Sequence, residues 1–158
     1  MYYTKNINII VNKAKIRLAY LSAMVFLVIV QNLLFSALAT NLVQDNGDEH
    51  VVYYWWVTIL LSPIIETLVF QASVNWVLEM FEFRQINIIA VSAIIFGIVH
   101  FRGVSSMIYV FSAIVAGSIF SWMYLHRLKQ SNFFQALSDV VFVHGCSNAF
   151  MLALLSYK

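Results

Sequence analysis

From Leu18 to Thr40 the chain carries no charged side chain. At 1.5 Å per residue that stretch is long enough to cross a bilayer core of about 30 Å as a single helix. Further apolar runs fill most of the chain after Thr40. Of the 158 residues, 62% are hydrophobic and 10% are charged, against roughly 45–50% apolar and 25% charged in a soluble domain. A soluble fold could not cover that much apolar surface. The expected fold class is therefore all-α: a polytopic membrane helix bundle of about five transmembrane helices, forming one membrane domain over residues 1–158. A separate soluble domain has no room.

The spans can be placed in order. The first covers about Leu18 to Thr40. Ala37-Leu38-Ala39 resembles a signal-peptide cleavage site, but the stretch is longer than the usual h-region and holds Gln31 and Asn32, so retention as a span is expected. Asn41 to His50 is an acidic loop without Lys or Arg, followed by Tyr53, Tyr54, Trp55 and Trp56, an aromatic group suited to a membrane interface. The second span starts there and runs to about Phe81, interrupted by Pro63. Here Ser62 can act as N-cap of a fresh helix beside a wet pocket, or the proline can make a simple kink. The third span ends near Phe101 and the fourth covers about Ser105 to Leu125. A basic turn, His126-Arg127-Leu128-Lys129, leads to the fifth, from about Phe133 to Ser156.

Of the nine basic residues, Lys5, Lys13, Lys15 and Arg17 form a basic arm over residues 1–17, on the same side as Arg84, Arg127 and Lys129. Only Arg102 and Lys158 fall on the other. The positive-inside rule makes the N-terminus cytoplasmic. The basic residues thus mark orientation in a membrane and not a nucleic-acid partner. Cys146 is the only cysteine, which excludes an internal disulfide and a cysteine metal cluster. On the fourth span Ala113, Gly117 and Ser121 form a ridge of small residues that lets another helix come close.

Ionisable groups within a bilayer are costly, which makes each a functional candidate. Counting along the helices puts Glu66 about 15 Å below the aromatic group, His100 about 18 Å up the third span and His144 about 16 Å up the fifth. Three helices thus offer one group each at a common depth, as a single buried site requires. Residues four apart share a helix face, so Asn148 joins His144 on one wall, and Phe96 shares a face with His100. Asp139 lies about 140° round the helix from His144 and reads as a contact at the cytoplasmic end. Cys146 also points away and reads as a small buried apolar residue.

These residues resemble the three motifs of the CAAX-protease and bacteriocin-processing (CPBP) family of intramembrane proteases. SPIIETLVFQ is similar to the first, EExxxR. FGIVH, Phe96 to His100, fits the second, FxxxH, and HGCSN, His144 to Asn148, fits the third, HxxxN. Order, spacing and placement in spans carry the likeness, with a family core at about 57–156. Two positions depart from the pattern: Thr67 stands where the second glutamate is usual and Gln71 where the arginine is. Both members of that pair change together, which reads as an ion pair turned neutral.

The resemblance implies an endopeptidase that cuts a membrane-associated peptide or protein among the lipids of, most simply, a bacterial cell membrane. Glu66 with His100 would activate water, and His144 with Asn148 would stabilise the oxyanion. In a zinc version Glu66, His100 and His144 would be ligands. Thr67 would then leave no second carboxylate as base, so no cofactor is assigned. Two other functions compete: a catalytically silent family member acting as a bacteriocin-immunity or scaffold protein, and a proton or metal carrier. The absence of an internal repeat counts against the carrier.

Overall fold

The computed structural model describes residues 2–42, 55–101 and 107–156, with side chains described for 11–37, 55–101 and 107–154. Most of the acidic loop, Tyr53, Tyr54, Arg102, Lys158 and the side chain of Lys5 lie outside these. The described residues form five helices: α1 (Tyr2–Leu42), α2 (Val57–Met80), α3 (Gln85–Val99), α4 (Met107–Gln130) and α5 (Phe133–Ser156). Four have the length and hydropathy to cross a membrane, with spans at Val11–Ala37, Val57–Met80, Met107–Gln130 and Phe133–Leu154. The shorter α3 rises only about 22 Å and stops at His100.

The outer surface is apolar. Phe26, Trp76, Phe81 and Phe134 are all more than three-fifths exposed, which a soluble monomer rarely tolerates over so wide an area. Polar groups turn inward instead: Gln71, Asn75, Ser92 and Ser121 are wholly buried. In such a bundle close packing and interhelical hydrogen bonds, not water exclusion, hold the helices together. Ser121 Oγ on α4 donates to Asn75 Oδ1 on α2 at 3.0 Å, and Ser92 Oγ on α3 donates to the Phe70 carbonyl at 2.5 Å.

Small residues decide how near the helices come. A Cβ on Gly117 would lie 3.0 Å from Phe96 Cβ, and one on Gly97 would lie 2.2 Å from Ile114 Cγ1. The ridge of α4 thus receives α3, with Phe96 seated over it. Between α5 and α2 the fit is against backbone, since a Cβ on Gly145 would stand 2.7 Å from the Ile59 carbonyl oxygen. Gly145→Ala must push these two helices apart. Overpacking of this kind costs about 1–3 kcal/mol, so thermal unfolding in detergent is expected several degrees below the parent. An unchanged midpoint would mean that the α2–α5 contact is looser than the geometry states.

Two boundaries differ from the sequence expectation. Pro63 neither breaks nor freshly starts α2. The rod passes through as alternating wide and ordinary turns, π-helical at Val57–Leu61 and Thr67–Ser73 and α-helical at Ser62–Glu66 and Val74–Met80. Pro63 stands in the first turn of the α-helical segment that follows the first π turn, a position where proline is tolerated. The segment His126 to Lys129 is likewise no turn but the helical end of α4, and the chain reverses at Ser131 and Asn132. Between α2 and α3 the reversal uses Glu82 at φ 56°, a left-handed residue after a helix end.

Candidate active site

Glu66 lies midway along α2, where the α-helical turn Ser62–Glu66 meets the second π segment. Wide turns of this type recur at functional sites because they re-aim side chains without ending the helix. Glu66 Oε1 accepts a hydrogen bond from the Ser62 hydroxyl one turn earlier. Ser62 is itself helical, at φ −59° and ψ −50°, so it serves as a partner for the carboxylate and not as an N-cap, one of the two readings the sequence left open. The other oxygen, Oε2, has no hydrogen bond among the described residues and faces two imidazoles. His144 Nε2 is 3.5 Å away and His100 Nε2 is 3.8 Å away.

Each imidazole is held by its own surroundings. His100 caps the C-terminus of α3, where its Nδ1 lies 2.6 Å from the Phe96 carbonyl oxygen. A carbonyl only accepts, so Nδ1 carries a proton, and in the neutral form of the ring Nε2 is the bare nitrogen that faces Glu66. Phe96 also packs on the His100 ring, with centroids 4.6 Å apart. His144 on α5 stacks on Phe120 of α4 at 4.5 Å and meets the edge of Phe96 at 5.8 Å. The His144 side chain is 5% exposed and that of His100 is 39%, so the site is closed at α5 and opens at the end of α3.

The structure thus brings together three of the four residues expected from sequence. Asn148 shares the α2-facing side of α5, but its Nδ2 donates to the Thr58 carbonyl at 2.9 Å, nearer the start of α2. One of the two amide hydrogens is used in this bond. Asp139 faces away, as expected, and accepts from Arg17 and Arg127. Thr67 and Gln71 are wholly buried, and neither the hydroxyl nor either end of the amide finds a partner among the described residues. The neutral pair therefore does not close on itself. A cleft of about 270 Å³ lined by Leu68, Ala72, Trp76, Tyr124 and Phe133, among others, includes neither Glu66 nor the histidines.

Sequence reading missed Ser62 and Phe120 as site residues. The i, i+4 spacing of Ser62 and Glu66 was an available signal. Phe120 gave none, because only the packing of α4 on α5 puts it against His144.

Among the described residues no group of three His, Cys, Asp or Glu side chains is arranged to hold a metal ion. Glu66, His100 and His144 are the side chains that would hold one, and it would supply Lewis-acid activation of water. With Glu66 spent as a ligand, Thr67 leaves no neighbouring carboxylate to take a proton from water.

Apolar helices that turn polar side chains inward and bring a carboxylate and two imidazoles together inside the bundle define a membrane-embedded protein with an internal polar site. The sequence model of the family type II CAAX prenyl endopeptidase Rce1-like matches residues 48–150, and the chain belongs to that family. The family is one of membrane-embedded CAAX-type proteases, and the matched segment holds Glu66, His100, His144 and Asn148 while leaving out α1. No curated protein and no solved structure matches the chain.

Proposed function

We propose that this chain is an intramembrane endopeptidase that hydrolyses a peptide bond of a membrane-associated peptide or protein by a metal-free glutamate mechanism. The observation that carries this reading is the convergence of one carboxylate oxygen on two imidazoles from separate helices, at 3.5 and 3.8 Å. Glu66 Oε2 and the bare His100 Nε2 are both acceptors, too far apart for a direct hydrogen bond. A water between them donates one proton to each. Its oxygen attacks the scissile carbonyl carbon while Glu66 takes the proton, and Glu66 then returns it to the leaving amine. His144 Nε2–H and the free N–H of Asn148 donate to the oxyanion. Substrate enters from the His100 side, where the site is open.

Cleavage of a membrane-anchored peptide by the detergent-purified protein tests the reading. His100→Ala removes one of the two acceptors that hold the water and is expected to slow cleavage about 100-fold. Cleavage by His100→Ala at the parent rate would remove His100 from the reaction.

One observation favours a second reading. The buried Thr67 and Gln71 hold no ion pair where the family motif carries one, as suits a silent member that acts by binding, for instance as a bacteriocin-immunity protein. Cells carrying Glu66→Ala would then remain protected against a bacteriocin, whereas a protease-dependent phenotype would be lost.

A further inference from the structure

α1 precedes the segment matched by the family, yet among the described residues it makes polar contacts at two heights with the helix that carries His144. At mid-height Asn32 Nδ2 donates to Ser147 Oγ on α5 at 2.8 Å, with both residues only 6% exposed. Beside it Gln31 Nε2 donates to Ser112 Oγ on α4 at 2.7 Å. One and two turns earlier Val28 and Met24 enter the core, and Arg17 reaches Asp139 of α5. The contacts follow one face of α1, so it lies in register against α4 and α5.

Ser147 is flanked by functional neighbours: His144 is three residues before it and Asn148 is next. Asn148 and Gly145 fasten α5 to α2 at Thr58 and Ile59, while Ser147 fastens α5 to α1. The height of α5 is thus fixed from both sides within one helical turn. A helix in a bilayer meets little resistance to sliding along its axis except from such contacts, and a 1 Å slide would change the 3.5 Å approach of His144 to Glu66 by a comparable amount.

We propose that α1 sets the height of α5, and that Asn32 and Ser147 are positioning residues for His144 and Asn148. The catalytic consequence rests on the protease reading, and the placement of His144 does not. Two readouts separate them. The first is the ring ¹⁵N resonances of the protein labelled in its four histidines, with His144 assigned by His144→Asn and His126 as the internal control. Asn32→Ser and Ser147→Ala, both small changes, should each move the His144 resonances and leave those of His126. The exchange Asn32→Ser with Ser147→Asn, which restores a donor and an acceptor to the pair, should return them.

The second readout is cleavage. Each single change should lower kcat about tenfold with KM within about twofold, the thermal midpoint should stay near that of the parent, and the exchange should recover the rate. His144 resonances that stay in place in both single variants, or that the exchange fails to restore, would overturn the proposal. A parent that cleaves nothing, with His144 shifted and restored as described, would leave the placement standing and count against the protease reading alone.

Discussion

Glu66→Gln is expected to lower the rate of peptide cleavage by about 10³-fold while leaving KM and thermal stability near those of the parent. Glutamine has the shape of glutamate, so the Ser62 hydroxyl keeps an oxygen to donate to and the neighbours of α2 are not disturbed. It lacks the basicity. With an amide facing His100 and His144, the carboxylate that takes the proton of the attacking water and returns it to the amine is gone. Stability should hold or rise, because a carboxylate taken from water into the bundle is costly and an amide is less so. Glu66→Asp separates position from chemistry. It keeps the charge but withdraws it by one methylene from both imidazoles, and an intermediate rate is expected. Paired rate measurements and melting curves check this result. Full activity in Glu66→Gln would mean that Glu66 is not the base.

The site was legible in the sequence because ionisable residues stand out against apolar runs. Glu66, His100 and His144 could be found one by one, and their depths made a common site the simplest arrangement. The structure adds what depth cannot supply. Phe120 is one apolar residue among many on α4, and nothing in its surroundings along the chain marks it as the surface on which His144 stacks. Asn148 was assigned to the His144 face correctly, yet its bond to Thr58 depends on how near α5 comes to α2, which Gly145 decides. The role of Ser62 stayed hidden because the proline after it allowed either a helix start or a kink, and the wide π turns on either side of Pro63 leave no trace in the pattern of apolar residues. Gln31 and Asn32 entered only as residues out of place in a signal peptide. Their partners, Ser112 and Ser147, are distant in sequence and are common residues, so hydrogen bonds between them become visible only in three dimensions.

The fold divides in the same way. Five apolar runs gave five helices, and the basic residues described in the structure gather at one end: Arg17 with Arg127, and Lys129 bonded to Gln85 at the start of α3 beside Arg84. Length was harder to read. The third run ends at His100, where the imidazole itself meets the last turn of the helix, so the feature that marks the site also stops the element that carries it.

Asp139→Asn is expected to give the largest loss of stability. The Asp139 side chain is 1% exposed, and its two oxygens accept from different helices: Oδ1 from Arg17 Nε at 2.9 Å and Oδ2 from Arg127 Nε at 2.6 Å. Asparagine can satisfy one guanidinium, but its NH₂ then meets the other as donor against donor, and two cations remain without an anion. Breaking a buried ion pair from one side costs about 3–5 kcal/mol. The lower end applies, because the Arg17 side chain is 39% exposed and can turn outward, whereas that of Arg127 is 11% exposed. Arg127→Met should therefore destabilise more than Arg17→Met. For a chain of this size the Asp139→Asn midpoint should fall by about 10 °C. Asp139 lies five residues before His144 on the same helix, so the fall in stability will reach the site, but as a loss of folded protein. Cleavage per folded molecule at low temperature should remain near the parent value. That is the reverse of Ser147→Ala, which should keep its midpoint and lose rate. If both variants lost stability and rate together, the ionic contact at the basic end and the neutral one at mid-height would have a single role, and the division of work along α5 would fail.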